Sequence, residues 1–244
     1  MASAGAAELL VGGIIVLGAS MQWLTGMGFA LIAVPALVLV LGPTQGVVLA
    51  NCAAGVISII GLTTGWRHVK LGEMIPLVIA SACTAPAGSW VAARLPEPAL
   101  LTVVGILVTA AVVLMVGGVR ISFLRGTKGA VTAGALGGFM NSAAGVGGPP
   151  YSLYALNAGW PMREFVPNAQ FYGIMVNVFS VAANGAPKLS GTTWTVATAA
   201  LATGALIGRA LGPRVPEQWI RRLILALALT GGTSVLVKGL WGMR

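Results

Sequence analysis

Apolar residues run along this chain in long blocks separated by short polar or glycine-rich punctuation, and the blocks predict an all-helical protein. The first half opens with an apolar run over 8–24 and an interruption at Thr25-Gly26-Met27-Gly28. A short run over 29–41 follows, expected to be broken by Pro35, and then three fuller segments over 44–66, 73–93 and 98–119. The second half repeats this order. A run over 129–144 meets Gly145-Val146-Gly147-Gly148-Pro149-Pro150, a short piece reaches Trp160, and segments over 163–186, 192–211 and 217–240 complete it. The boundary between the halves is a basic stretch, residues 120–128.

The halves also match in detail. Arg94-Leu95-Pro96-Glu97 recurs 120 positions later as Arg214-Val215-Pro216-Glu217. At an offset of 119, Gly18, Gly26 and Gly28 fall on Gly137, Gly145 and Gly147, Met21 on Met140, Gln22 on Asn141, and Asn51 on Gln170. With 35 glycines in the chain, the glycine matches weigh less than the Arg-x-Pro-Glu and amide pairs. An internal duplication in so apolar a chain points to a binding site between related halves.

Composition fixes the environment. Charged residues are 8 % of the 244 and mean hydropathy is +0.93, whereas ordinary globular proteins carry about 25 % charge. No charge or histidine interrupts 9–66 or 129–162, and each stretch exceeds the ~20 residues of a bilayer crossing. These features describe a polytopic membrane protein with 8–10 membrane segments. Two such repeats are expected, over 1–119 and 129–244, each a Gly-broken, re-entrant or fully crossing helix pair plus three transmembrane helices. Glu8 and the lack of a basic cluster before the first run argue against a cleaved signal peptide. The net charge of +9 lies in short loops, where lipid topology explains it better than nucleic acid. Three uninterrupted crossings per half, with each broken pair returning to its own side, make the halves inverted. With residues 120–128 in the cytoplasm, ten of the 14 Lys and Arg fall inside and Arg94, Lys188, Lys238 and Arg244 outside, the asymmetry of the positive-inside rule.

The glycine interruptions are the leading candidates for chemistry. Irregular backbone at membrane depth is tolerated only where protein buries it or a polar cavity receives it. Glycine permits positive φ and close ligand approach, and Pro149-Pro150 suits a first helical turn. A helix starting inside the membrane offers free N–H groups and a positive dipole end, an anion site without formal charge. Two starts facing one another would suit a small oxyanion. Gln22, Asn51, Asn141 and Gln170 supply neutral side-chain donors, with Thr25 and Ser142 as hydroxyl candidates, and Asn51 and Gln170 approach the midplane from opposite sides. Asn168, Tyr172 and Asn177 are weaker candidates. The competing reading is plain helix packing by small residues and mutual amide bonding. Cys52 and Cys83 are expected to be buried small hydrophobes. Arg94/Glu97 and Arg214/Glu217 read as scaffold: Pro and Glu open a helix, with Arg at the headgroups. Trp23 and Trp160, which border the breaks, could act as gates. There is no aspartate, every glutamate lies at a segment end, and His68 reads as a surface residue. No nucleophile–base set, metal cluster or phosphate loop is evident, so neither enzyme chemistry nor a cofactor is expected.

Gly26-Met27-Gly28-Phe29-Ala30-Leu31 with Pro35, and Gly134, Gly138 and Gly145-Val146-Gly147-Gly148-Pro149, duplicated over nearly the whole chain, resemble the sulfite exporter TauE/SafE family of membrane permeases. The resemblance implies transport of sulfite or an organosulfonate such as sulfoacetate across the bacterial cytoplasmic membrane. Gly26, Gly28, Gly145, Gly147 and Gly148 would supply backbone donors and the four amides side-chain donors. An interior-negative potential drives an anion outward by ~2.3 kcal/mol per charge per 100 mV, which favours export. The alternative is a structural or assembly subunit with no transported substrate. Homo-oligomer formation is open on either reading.

Overall fold

The computed structural model describes residues 2–117, 124–211, 214 and 216–243. Ten α-helices make up the fold, with no strand among the described residues: α1 (Ala2–Thr25), α2 (Gly28–Leu41), α3 (Pro43–Leu62), α4 (Leu71–Arg94), α5 (Glu97–Gly117), α6 (Gly126–Ala144), α7 (Gly148–Asn157), α8 (Met162–Asn184), α9 (Gly191–Leu211) and α10 (Glu217–Gly242). One 3-10 turn, Trp66–His68, joins α3 to α4. Arg120, Val215 and Arg244, and the side chains of Glu217 and Arg221, lie outside the described residues.

Six helices are long and apolar enough to cross a membrane: α1, α3, α4, α5, α9 and α10. Helices α6 and α8 have 19 and 23 residues, and their lower hydropathy reflects the glycines and amides they carry. Helices α2 and α7 have 14 and 10 residues, about 21 and 15 Å at ~1.5 Å per residue, short of the ~30 Å hydrocarbon core. Two expectations need correction. Pro35 does not break α2 but lies buried inside it, because neighbouring helices can support a freed carbonyl in a membrane protein. The basic linker ends earlier than residue 128, since Gly126 already opens α6.

Glycine contacts reveal how the helices run. Along α3 and α8, Gly55 faces Asn177, Gly173 faces Ser58, Gly61 faces Gln170 and Gly65 faces Pro167, so these two helices are antiparallel. Along α5 and α10, Gly105 faces Leu236, Gly232 faces Val108, Gly239 faces Thr102 and Gly242 faces Pro98, again antiparallel. By contrast α1 and α9 run parallel, Gly204 against Val16 and Gly208 against Ser20, as do α4 and α6, Gly134 against Leu77 and Gly88 against Phe139. These contacts match at the repeat offsets: Gly88 and Phe139 correspond to Gly208 and Ser20. Small residues bring backbones close enough for dispersion and hydroxyl–carbonyl bonds to hold helices together where lipid removes the hydrophobic drive. Thus Ser20 Oγ donates to Gly204 O at 3.0 Å and Ser81 Oγ to Gly134 O at 2.8 Å.

The contacts also sort the helix ends into two groups. At one end, Thr192 Oγ1 donates to Glu8 at 2.5 Å and Lys188 N to Gln45 at 2.8 Å. At the other, Lys70 bridges Glu73 at 3.5 Å and Glu164 at 2.9 Å. The hydrogen bond to Glu164 keeps Lys70 charged further into the alkaline range than a free lysine. Tryptophans mark both ends, Trp66 and Trp219 at one and Trp90 and Trp241 at the other, all exposed, with Arg94 3.8 Å over the Trp90 ring. This is the amphipathic anchoring expected at lipid headgroups. Pro216 is the N-cap of α10 rather than part of its first turn.

The cysteines also differ from expectation. Cys83 is exposed and Cys52 only half-buried, because a lipid-facing surface accepts small apolar side chains that a soluble protein would bury.

A methyl on Gly204 would meet Val16 O at 2.7 Å, and one on Gly208 would meet Ser20 O at 2.8 Å. Gly204→Val and Gly208→Leu should each destabilise the purified protein by about 1–3 kcal/mol, measured as a lowered midpoint in thermal unfolding. Gly13→Ala, with nothing within 4 Å, should leave it unchanged.

Candidate functional site

Both glycine interruptions are true breaks. Gly26 has φ +81° and Gly145 φ +71°, the left-handed region in which a side chain is strained. They occupy equivalent places and have equivalent neighbours: Gly26 packs on Val166 of α8 and Gly145 on Val47 of α3, residues that match at the repeat offset. Gly148 with Pro149 and Pro150 forms the first turn of α7, as the sequence predicts. The two breaks approach one another, since a methyl on Gly148 would meet Met27 Cε at 2.7 Å and Ser152 Oγ donates to Met27 Sδ at 3.4 Å.

Between the breaks runs a buried polar band carried by the α3–α8 crossing. At one level Gln22 Nε2 donates to Ser58 Oγ at 2.6 Å and Ala54 O at 3.2 Å, and reaches Gln170 Oε1 at 3.5 Å. At the next level Asn141 Nδ2 donates to Ser180 Oγ at 2.8 Å and Asn177 Oδ1 at 3.0 Å. Asn51 Nδ2 donates to Asn141 O at 3.3 Å, and Ser142 Oγ to Ser180 Oγ at 3.0 Å. Gly147 N–H donates to Asn141 Oδ1 at 3.0 Å. Asn51 is eight residues past Pro43 and Gln170 eight past Met162, so each lies ~12 Å from its helix start. Gln22, Asn51, Asn141, Ser142 and Gln170 are all buried, at 4 % exposure or less.

The band is electrically neutral. Every buried polar side chain among the described residues is uncharged, and no metal-binding group of His, Cys, Asp or Glu is present among them.

The predicted residues therefore divide. Gln22 and Gln170 meet, and so do Asn51, Asn141, Ser142, Gly145 and Gly147. Thr25 stands apart, its hydroxyl spent on Met21 O at 2.9 Å. Asn168 is a clamp on the α3–α4 turn, bonded to Lys70 N at 2.8 Å and to His68 O at 3.3 Å. Tyr172 stacks on Tyr151 with centroids 5.2 Å apart. Ser58 and Ser180 were missed, and Asn177 was undervalued. Ser58 and Asn177 match at the same offset as Gln22 and Asn141, so the repeat held the signal.

A cavity of about 280 Å³ lies beside the α1–α2 break, walled by Met27, Gly28, Leu31, Ser152, Leu153 and Ile224, with Trp160 at its edge. It reaches Leu114, Met162 and Leu225, from the end of α5 and the starts of α8 and α10. The repeat counterparts of Thr25, Met27, Ser152, Leu153 and Ile224 are Ala144, Val146, Ala33, Val34 and Val104. All five are fully buried. These positions are thus more tightly packed in one repeat than at the cavity in the other.

Asn141→Ala leaves Gly147 N–H and Asn177 Oδ1 without a partner. At about 1–3 kcal/mol per orphaned buried group, thermal unfolding should show a clear loss of stability. The loss should exceed that of Ser142→Ala, whose hydroxyl makes one bond to Ser180.

No curated protein and no solved structure matches the chain. The family model for the sulfite exporter TauE/SafE matches residues 10–235, a span that includes both breaks and all four paired amides. The chain belongs to the sulfite exporter TauE/SafE family, whose members are membrane transporters of sulfur anions rather than enzymes.

Proposed function

We propose that this protein exports a small sulfur oxyanion, sulfite or an organosulfonate such as sulfoacetate, across a bacterial cytoplasmic membrane by alternating access. The anion is held near the midplane by the α2 and α7 starts and by the amides of Gln22, Asn51, Asn141 and Gln170. The observation that carries this reading is the convergence of two positive-φ glycine breaks on one neutral, donor-rich band. Neutral donors bind an oxyanion without the grip of a buried cation, and a carrier has to release what it binds.

Three features support an inverted repeat with alternating access. The equivalent helices α3 and α8 run antiparallel, as do α5 and α10, the relation produced by a two-fold axis lying in the membrane plane. The end carrying Arg67, Lys70, Arg125, Arg163 and Arg222 is richer in cations than the end carrying Arg94, Lys188 and Lys238, so we assign the first to the cytoplasm. The cavity reaches Met162 and Leu225, near the cation-rich end, and the matching positions of the other repeat are fully buried, an asymmetry that supports one of two exchangeable states.

The rival reading, a membrane scaffold without a substrate, draws on the fact that the buried amides satisfy one another. Ligand-dependent stabilisation separates the two. Purified protein should be screened by thermal shift against sulfite, thiosulfate, sulfoacetate and taurine, with carboxylates as controls. A ligand at 100 times its Kd stabilises by about 2.7 kcal/mol, roughly 5–10 °C at ~2–4 °C per kcal/mol for a chain of this size. A shift is expected with at least one sulfur anion, lost in Asn51→Leu and Gln170→Met; silence across the panel would favour the scaffold.

Topology has its own test. In a background with Cys52 and Cys83 replaced by serine, a membrane-impermeant maleimide should label Lys188→Cys on intact cells and leave Arg67→Cys untouched until the cells are permeabilised. The reverse pattern contradicts the assignment.

A further inference from the structure

The turn between α7 and α8 carries Trp160, whose indole stands between two environments. It forms part of the wall of the cavity of about 280 Å³, to which Leu114, Ile224 and Leu225 of α5 and α10 also contribute. Its other contacts belong to a cluster on α4, α7 and α8. The indole meets Tyr151 edge-on with centroids 6.2 Å apart and Tyr154 at 5.8 Å. Lys70 Nζ lies 5.2 Å from the ring centroid.

Lys70 is fixed at both ends. Its backbone N–H donates to Asn168 Oδ1 at 2.8 Å, and its ammonium is held by Glu164 at 2.9 Å and Glu73 at 3.5 Å. Glu73 is itself tied to α7, since the Tyr154 hydroxyl donates to it at 3.4 Å. A lysine is a point charge on a flexible stem, and these partners place that charge over the indole face, where the ring quadrupole attracts a cation. Asn168, buried outside the polar band, thereby gains a role in setting where Lys70 begins.

The other repeat lacks this arrangement. At the offset of 119, Lys70, Trp160 and Glu164 correspond to Leu189, Leu41 and Gln45. Leu189 and Leu41 pack against the main core, and Gln45 accepts the Lys188 backbone N–H at 2.8 Å. Of the two matched turns, only the one at the cation-rich end pairs an indole with a cation. That turn also leaves the indole room to move. Gly159 precedes it at φ +70°, a methyl there would meet nothing within 4 Å, and Trp160 is only half-buried. An indole freed from Lys70 has an apolar cavity beside it, and filling that cavity removes apolar surface from water.

We propose that Trp160 is a lid on the cavity and that Lys70 is the positioning residue that holds it open. With Lys70 seated on Glu164 and Glu73, the indole stays docked on Tyr151 and Tyr154 and the cavity is accessible. When α8 moves relative to the α3–α4 turn, Glu164 leaves Lys70, and the indole swings toward Leu114 and Ile224 and closes the cavity. The inference rests on the exchange between two states and is independent of which anion is carried.

The test is the rate at which methyl methanethiosulfonate, a small neutral thiol reagent, modifies Ser152→Cys in the cavity wall. It is read by intact mass on the full-length protein in nanodiscs, with Cys52 and Cys83 replaced by serine. Lys70→Met should slow labelling about two- to five-fold, the population shift that one lost cation–π contact produces. Lys70→Arg, which keeps the charge, should label at the starting rate. So should Lys70→Met combined with Trp160→Ala, which has no lid to close. Glu164→Gln removes the closest partner of the ammonium and should slow labelling in the same direction, a second reading should Lys70→Met fail to fold. Unchanged or faster labelling in these variants overturns the inference, as does a starting protein that does not label. Slowing that persists after Trp160→Ala overturns it too, since Lys70 would then brace the helices rather than place the indole. No substrate enters the assay, so each of these failures leaves the anion-transport reading to its own test.

Discussion

A backbone N–H or C=O inside the hydrocarbon core has no water to turn to, and the α1–α2 and α6–α7 breaks place several such groups at membrane depth. At the α6–α7 break the chain answers with a side-chain amide. Asn141 is the clearest case, since one residue satisfies Gly147 N–H through its oxygen and Asn177 and Ser180 through its nitrogen. That arrangement needs α8 within hydrogen-bond reach of α6, and Asn51 of α3 reaching the Asn141 carbonyl. The antiparallel α3–α8 crossing is therefore the frame on which both breaks depend. Its glycines, Gly55, Gly61 and Gly173, let the two helices approach closely enough. Among the described residues only Thr109 Oγ1 is a buried side-chain polar atom without a partner.

The two halves use the same constraint differently. In the second repeat the amide oxygen closes the break, and the surrounding Ala144, Val146 and Val34 are fully buried. In the first repeat Gln22 is one methylene longer than Asn141 and is drawn to Ser58 and Gln170, so α2 starts without a cap beside an open cavity. A single difference in side-chain reach thus coincides with the difference between a packed and an accessible break. The absence of buried charge suits this economy. A carboxylate near the site would repel an anionic substrate, and an ammonium would hold it too firmly.

Much of this was legible in the sequence. The apolar blocks located all ten helices to within a few residues at the ends tested, apart from the start of α1, and the Thr25–Gly28 and Gly145–Pro150 interruptions located both breaks. The amide pairs pointed to the polar band because unpaired polarity is costly in a membrane. Pro35 misled because a proline's local cost says nothing about the neighbours that offset it. Cys83 misled because burial rules learned from water do not apply to a lipid-facing surface. Ser58 and Ser180 were overlooked because a serine in a helix ordinarily bonds its own i−4 carbonyl, and only the crossing of α3 over α8 shows which serines also reach another helix. The cavity beside the α1–α2 break could not be read at all, since it is a property of the tertiary state and the two halves are nearly alike in pattern.

The central claim is that an oxyanion binds at the α1–α2 break beside the buried amides. Anomalous X-ray scattering from crystals grown with selenite or an alkylselenonate locates the ligand directly. The account predicts a selenium peak within hydrogen-bonding range of the Gly28 N–H, between Thr25 and Ser152. A peak confined to the arginine-bearing ends of the molecule, with none at the break, would contradict it.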